Sequence, residues 1–391
     1  MKERNSTMSN TERSMQRRAF VVTPLAAAVA VLSSDSQTKP PAQATKFGVR
    51  VQPGPMDSIL LKDYAPESSL VVQETRIARA RFPVIDVHAH SGQSHVSAPK
   101  DVDEWVRTMD EVGVEATVVF TGAAAAGFDR QAELFSRHPK RFQLYCSLDT
   151  TNLEDRDYSQ RAVRDLERCY RQGARGVGEI TDKGSGIQQA ALPRDKRLHF
   201  DDPRLDAVWE KCAELKLPVN VHIADHPSCW KPLGPKQERT PDFQHFNQYG
   251  KDVLPYEELL ATRRRLLEKH PRTIFIACHL GNQGNDLGAL SKELDRHPNL
   301  YVDISARDYE IGRQPRAAAK FLAKYKERVL FGTDMERDPG MYRAWWRLLE
   351  TADEFIPGRI WWRYYALELP PALLESIYRT NARRILNWTA R

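Results

Sequence analysis

The sequence predicts an α/β fold, a (β/α)8 TIM barrel with an N-terminal arm and a long lid loop after the fifth strand. Three observations predict it. Eight short, apolar, β-branched runs recur between Val84 and Asp334, amphipathic stretches separate them, and polar residues recur at their carboxyl ends. Strands too apolar to face water imply a parallel sheet covered by helices. Eight strand–helix units over about 300 residues fit a barrel, whose usual size is about 250 residues with extensions. An open doubly wound sheet would more often place a glycine-rich phosphate loop after its first strand. Here that strand ends in "HAH".

The strands are expected at "VIDVH" (84–88), "ATVVF" (116–120), "FQLYCSL" (142–148), "ARGVGEI" (174–180), "PVNVHI" (218–223), "TIFIACH" (273–279), "LYVDIS" (300–305) and "RVLFGTD" (328–334). Helical periodicity marks "DVDEWVRTMDEVG", "YSQRAVRDLERCYRQG", "DPRLDAVWEKCAELK", "PYEELLATRRRLLEKHP" and "QPRAAAKFLAKYKE", several of which end in Gly or Pro as helices do. The connection from Ala224 to Pro255 is too long for an ordinary loop of a compact domain. Its Trp230, Phe243, Phe246 and Tyr249 favour an ordered lid over a linker. "LLESIYRTNARRILNW" reads as the closing helix.

Residues 1–44 read as an address. Arg17 and Arg18 precede an apolar run from Val21 to Leu32, and "AQA" at 42–44 supplies small residues for cleavage. The arginine pair makes this a twin-arginine type of signal, which exports folded proteins to the periplasm. The run falls short of the roughly 20 residues a spanning helix needs, so cleavage is expected rather than anchoring. Residues 45–81 then form the arm and 82–391 the barrel.

With 41% hydrophobic and 28% charged residues the chain has ordinary globular composition. Half of its net charge of +6 lies in the leader, and no basic run interleaved with aromatics follows, so nucleic acid is not an expected partner. The five cysteines are odd in number and widely spaced, and nothing in their pattern demands a disulfide.

The chemistry-bearing residues cluster by position. His88 and His90, two apart on one strand, share a face. Glu179 ends the fourth strand, His222 lies near the end of the fifth, His279 ends the sixth and Asp334 the eighth. The carboxyl ends of barrel strands meet on one face. Taken singly, His222 reads as a core histidine, His279 and Asp334 as caps, and Glu179 as a partner for Arg175. Six groups at five strand ends together make four imidazoles and two carboxylates, the donor set of zinc and similar divalent metals.

"DVHAH", "VHI", "CHLGN" and "FGTD", in this order from Phe82 onward, resemble the amidohydrolase superfamily, in particular its amidohydrolase-related (amidohydrolase 2) branch. The resemblance implies a distorted barrel. It implies metal ligation by His88, His90, His222 and Asp334, and a catalytic or second-metal role for His279. The superfamily often bridges two metals with a carboxylated lysine or glutamate at the end of strand four. Glu179 stands there, so the metal count is left open between one and two, with one zinc ion the expectation. The expected activity is metal-dependent hydrolysis of a lactone, amide or related bond. Asp334 would take a proton from water activated by the metal and return it to the leaving group, and His279 would polarise the carbonyl. The competing expectation is non-oxidative decarboxylation of an aromatic or unsaturated acid, and a third is a non-catalytic binding barrel. Arg307 and Arg313, in the loop after strand seven, would suit a carboxylate on a small-molecule substrate, although each reads equally well as a solvated loop arginine. Gln314, Arg337, Lys183, His95, His226 and His245 lie in loops near the same face, and a homodimer is left open.

Overall fold

The computed structural model describes residues 45–46, 49–50, 52–188, 192–239, 244–335, 337–358 and 362–388. The expected leader and Phe243 of the long loop lie outside the described residues. The chain divides into a unit ending at Ser69 and a unit from Leu70 to Arg391. In the first, Thr45–Lys46 pairs antiparallel with Val49–Arg50, and Leu61–Asp63 forms a single 3-10 turn. The second unit starts upstream of the barrel boundary expected at Phe82. Thr75 donates from its N–H and its hydroxyl to Asp353, both at 2.7 Å, and the Ala80 N–H donates to the Val112 carbonyl.

The barrel strands are β1 (Val84–His90), β2 (Val114–Phe120), β3 (Phe142–Cys146), β4 (Gly176–Asp182), β5 (Val219–Ile223), β6 (Phe275–Ala277), β7 (Leu300–Asp303) and β8 (Val329–Leu330). Each pairs parallel to the next in chain order. The ends of the sheet meet where the Val87 N–H donates to the Phe331 carbonyl and the Asp334 N–H to the His88 carbonyl, at 2.9 and 2.8 Å. Each strand is followed by a helix: α1 (Pro99–Val112), α2 (Gly127–Phe135), α3 (Tyr158–Arg171), α4 (Asp206–Glu214), α5 (Tyr256–Lys269), α6 (Leu287–Arg296), α7 (Pro315–Lys324) and α8 (Pro339–Glu350). Among the described residues no helix is long and apolar enough to cross a membrane.

Two apolar layers follow from the strand alternation. Val84, Val119, Leu144, Val177 and Val219 join the buried faces of the helices, among them Trp105, Leu166 and Trp209. Ile85, Val87, Ala116, Val118, Phe120, Tyr145, Ile276 and Leu330 form the inner cluster, with Ala382, Ile385 and Trp388 of the C-terminal segment packed against it. All five cysteines are free and buried.

The sequence extends β6 to His279 and β8 to Asp334, but the strands end earlier, at Ala277 and Leu330. Both residues instead adopt left-handed backbone, with φ of 61° and 53°. Such a conformation is uncommon for a non-glycine residue and concentrates at functional sites. It turns the chain out of the strand direction at the two places where a side chain must reach the centre.

Phe331 carries the seam between first and last strands. It is fully buried, and its ring meets Trp345, Trp346 and Tyr378 at centroid distances of 5.7, 5.2 and 5.4 Å. Truncating Phe331→Ala should lower the unfolding free energy by about 3–5 kcal/mol, read from urea denaturation.

Candidate metal centre

All six residues picked from the strand ends meet. His88 and His90 both rest against the Phe120 ring, at 4.8 and 5.2 Å between centroids, as their two-residue spacing predicts. Nε2 of His88 and of His90 lies 3.5 and 3.3 Å from Asp334 Oδ1. Glu179 Oε1 lies 2.9 Å from His222 Nδ1, 3.2 Å from His279 Nε2 and 3.6 Å from His88 Nε2, while its Oε2 lies 3.4 Å from His90 Nε2. Two triads result, His88–His90–Asp334 and Glu179–His222–His279, each with donor atoms within 4.8 Å of one another. Glu179 lies within reach of both.

Glycines let the backbone come this close. A Cβ on Gly178 would stand 2.8 Å from the Asn220 Cβ, and one on Gly332 would stand 2.8 Å from the Cβ of His88. The loop carrying Asp334 is pinned to β1 by the buried Asp86. That carboxylate accepts from the Thr333 N–H (3.1 Å) and hydroxyl (2.7 Å) and from the Tyr342 hydroxyl (2.9 Å). Burial nevertheless pushes the Asp86 carboxyl up to about 6.

Three imidazoles are held by their outer nitrogen. His88 Nδ1 lies 2.9 Å from Asp303 Oδ2, and His222 Nε2 lies 3.1 Å from Asp225 Oδ1. His279 Nδ1 lies 3.0 Å from the Ser305 carbonyl, which can only accept. Each outer nitrogen therefore carries the hydrogen, assigned here from its partner. The inner nitrogens face the centre, and those of His88 and Asp334 Oδ1 are buried without a hydrogen-bond partner. His88, with its outer nitrogen held and its inner one open, shows the arrangement that ligating histidines require, while the inner nitrogens of His222 and His279 crowd Glu179 Oε1 and lie 3.2 Å from each other. The donor set fits a divalent cation.

The electrostatics agree. Burial alone would raise Glu179 and Asp334, but the surrounding imidazoles, His222 and His88 for the first and His88 and His90 for the second, hold both well below the ordinary carboxylate range. Burial would lower His88 and His222, but Asp303 and Glu179 respectively lift them. His90 is lifted as well, against burial, by Asp334 and Glu179. His279 is lowered, first by burial and then by His222. The centre thus gathers positive charge as protons where a cation would supply it.

The remaining expected residues scatter. Arg307 is buried at the mouth, donating to the Ala306 carbonyl at 2.9 Å and to Asn282. Arg313 is engaged by Glu238 and the Tyr309 carbonyl, with its guanidinium 4.4 Å from the Trp362 ring centroid. Gln314 donates to the Gly284 carbonyl, and Arg337 to the carbonyls of Ser94 and Asp101. Lys183 pairs with Asp225 at 3.0 Å, supporting His222 through it. His226 is buried in the long loop, 3.7 Å from Glu310, and burial and then Arg239 depress it to about 3. His95 and His245 are exposed.

Sequence reasoning missed Asp303, Ser305, Asp225 and Cys278. Asp303 is fully buried and accepts from His88 and from the backbone N–H groups of His279 (2.8 Å) and Ser305 (3.1 Å). Its signal was available, since an aspartate at the end of the apolar "LYVD" run obeys the same rule that found Asp334. Cys278 lies beside His88 and Glu179, within the same 4.8 Å limit.

A parallel barrel whose strand ends collect imidazoles and carboxylates on one face is the construction of a metal-assisted barrel enzyme. The family model described as Amidohydrolase matches residues 85–388. The chain belongs to this amidohydrolase family of enzymes. Among solved structures, a putative amidohydrolase from Staphylococcus aureus is 16% identical with a TM-score of 0.51, covering 78% of this chain and 100% of its own. An uncharacterised TIM-barrel protein from Bordetella bronchiseptica is 18% identical with a TM-score of 0.50, covering 79% and 100%. A 2,6-dihydroxybenzoate decarboxylase from Rhizobium is 19% identical with a TM-score of 0.49, covering 78% and 99%. The first two likenesses agree with the barrel. A search of curated protein sequences returned no match.

Replacing Asp303→Asn should weaken binding of a divalent cation by about 10–100-fold with the fold retained, measured by competition with a chelator and circular dichroism. A cation must displace the protons held on these imidazoles. Its affinity should therefore fall with falling pH, by about tenfold per pH unit for each proton displaced.

Proposed function

We propose that this chain is a metal-dependent hydrolase of a small carbonyl substrate, a lactone, an amide or a related C–O or C–N compound. One observation carries the reading: Glu179 lies between two triads of donors, one oxygen towards His222 and His279 and the other towards His90. Carboxylates that span two ligand groups suit centres that activate water. His88, His90, His222, Asp334 and Glu179 would hold the metal, with zinc the ion suited to a donor set rich in imidazole. When bound, the cation supplies Lewis acidity and makes water a nucleophile near neutral pH.

The residues of the chain divide the remaining work. Asp334 Oδ1 faces His88 and His90, and its Oδ2 stands 3.7 Å from His279 Nε2. Held ionised by these imidazoles, it can take a proton from the attacking water and return it to the leaving group. His279, with its hydrogen on Nδ1, presents a lone pair at Nε2. The carbonyl-polarising role expected from the sequence needs a proton there, and a lowered pKa opposes it. His279 is better read as a donor to the metal.

A second reading, non-oxidative decarboxylation of an aromatic or unsaturated acid, is favoured by Arg307. Its buried guanidinium, held by Asn282 and 3.5 Å from Glu310, is a cation of the kind that receives a substrate carboxylate. Export by the leader at 1–44 belongs to the same proposal and would place the enzyme in the periplasm.

Zinc-loaded protein should release acid from members of a lactone and amide panel and no bicarbonate from dihydroxybenzoates. Bicarbonate release without hydrolysis would replace the first reading by the second. Asp334→Asn should lower kcat by about 10²–10⁴-fold.

A further inference from the structure

We propose that the cavity at the amino-terminal end of the barrel, the end away from the metal centre, is a binding site for a small aromatic anion. The cavity measures about 910 Å³ and opens among the segments that lead into β2, β3, β4 and β5. Its volume lies within the range of small-molecule sites, about 300–1,000 Å³. Of the candidate metal ligands, Glu179 and His222 lie towards the other ends of β4 and β5, and none of the six lines the cavity.

Charge selects the class of ligand. Lys140, Arg141, Arg175 and Lys216 line the cavity, against a single carboxylate, Glu115. That carboxylate is already engaged by Arg379, at 2.8 Å, and by Arg383. Arg141 is matched by Asp110 at 2.8 Å. Among the described residues, no carboxylate lies within ion-pair distance of Lys140, Arg175 or Lys216. Like charges converging on one concavity repel, and the cavity focuses their field on whatever enters. Lys140, Arg175 and Lys216 are all exposed at this mouth, so their charge is available to a ligand.

The walls select the shape. Tyr170 is 38% exposed, with the Arg175 guanidinium 5.9 Å from its ring centroid, and Trp388 closes another side. Ring surfaces beside unmatched cations suit a planar apolar body that carries an anionic group.

Anilinonaphthalenesulfonate is a suitable probe, because its sulfonate chelates metals poorly. Titrated into the zinc-loaded full chain and followed by its fluorescence, it should fill one saturable site. The double reversal Arg175→Glu with Lys216→Glu should weaken that site by about tenfold or more, with circular dichroism and metal content unchanged. Lys140→Glu, at an exposed loop position, should weaken it as well and serves if the double variant does not fold. Asp334→Asn should leave it intact. Absence of saturable binding, an affinity indifferent to the charge reversals, or loss of binding in Asp334→Asn would each overturn the proposal.

Discussion

Four carboxylates set into the rim of an apolar barrel are the constraint from which the site follows. A buried ionised carboxylate costs several kcal/mol unless it is paired. Glu179 and Asp334 face the inner nitrogens of the imidazoles, while Asp303 and Asp225 hold outer ones. The result is concentric. An outer ring of acceptors fixes how each imidazole is turned and which nitrogen carries its hydrogen, and an inner ring is left to share positive charge. Neither ring is stable alone. Without Asp303, His88 loses its charged acceptor and keeps only the Ser305 hydroxyl at Nδ1, and without positive charge among them the inner carboxylates repel.

The backbone yields to this arrangement in several places. Gly178 and Gly332 stand where a side chain would strike Asn220 or His88. His279 and Asp334 take left-handed conformations that cost stability but aim two side chains inward from strands that have already ended. Asp86 shares the motif with His88 and His90, yet it has a different duty. Clamped to Thr333 and Tyr342, it joins the first strand to the loop of the last, so that ligand atoms distant in sequence keep a fixed separation. The distance between His90 and Asp334 thus depends on a carboxylate that touches neither.

The sequence made much of this legible. Apolar β-branched runs located all eight strands, because strands buried on both faces have little freedom in composition. The same pattern located the six inner groups, since polar residues at the ends of such runs have few other uses. It failed where the determinant is not periodic. The sequence pattern extends β6 and β8 too far, because nothing in "ACHLG" or "FGTD" announces a left-handed residue other than glycine. Asp225 was invisible, lying in a polar loop where an aspartate is unremarked. Asp303 was visible in principle but was read as part of a strand. Arg313 and Arg337 looked available because sequence carries no record of the partners, Glu238 and the carbonyls of Ser94 and Asp101, that occupy them.

In the proposed hydrolysis, the tautomer of His279 decides how labour would be divided at the centre. The Ser305 carbonyl accepts from Nδ1, and the Ser305 hydroxyl, 2.9 Å from the same nitrogen, gives its hydrogen to Asp303, so a neutral His279 presents its lone pair inward. Burial and the neighbouring His222 both oppose a second proton. An imidazole in that state can bind a cation or accept a hydrogen bond, but it cannot donate to a developing oxyanion. The proton then has to travel on a group that is ionised, close to the reacting atoms and open on one side. Among the six inner residues, Asp334 meets these conditions best. Glu179 is enclosed by four imidazoles, whereas Asp334 is the more exposed of the two carboxylates, at 19% against 8% of its side chain. In the proposed hydrolysis, the orientation of one carbonyl on β7's outgoing loop would therefore leave proton transfer to Asp334, on the loop of β8.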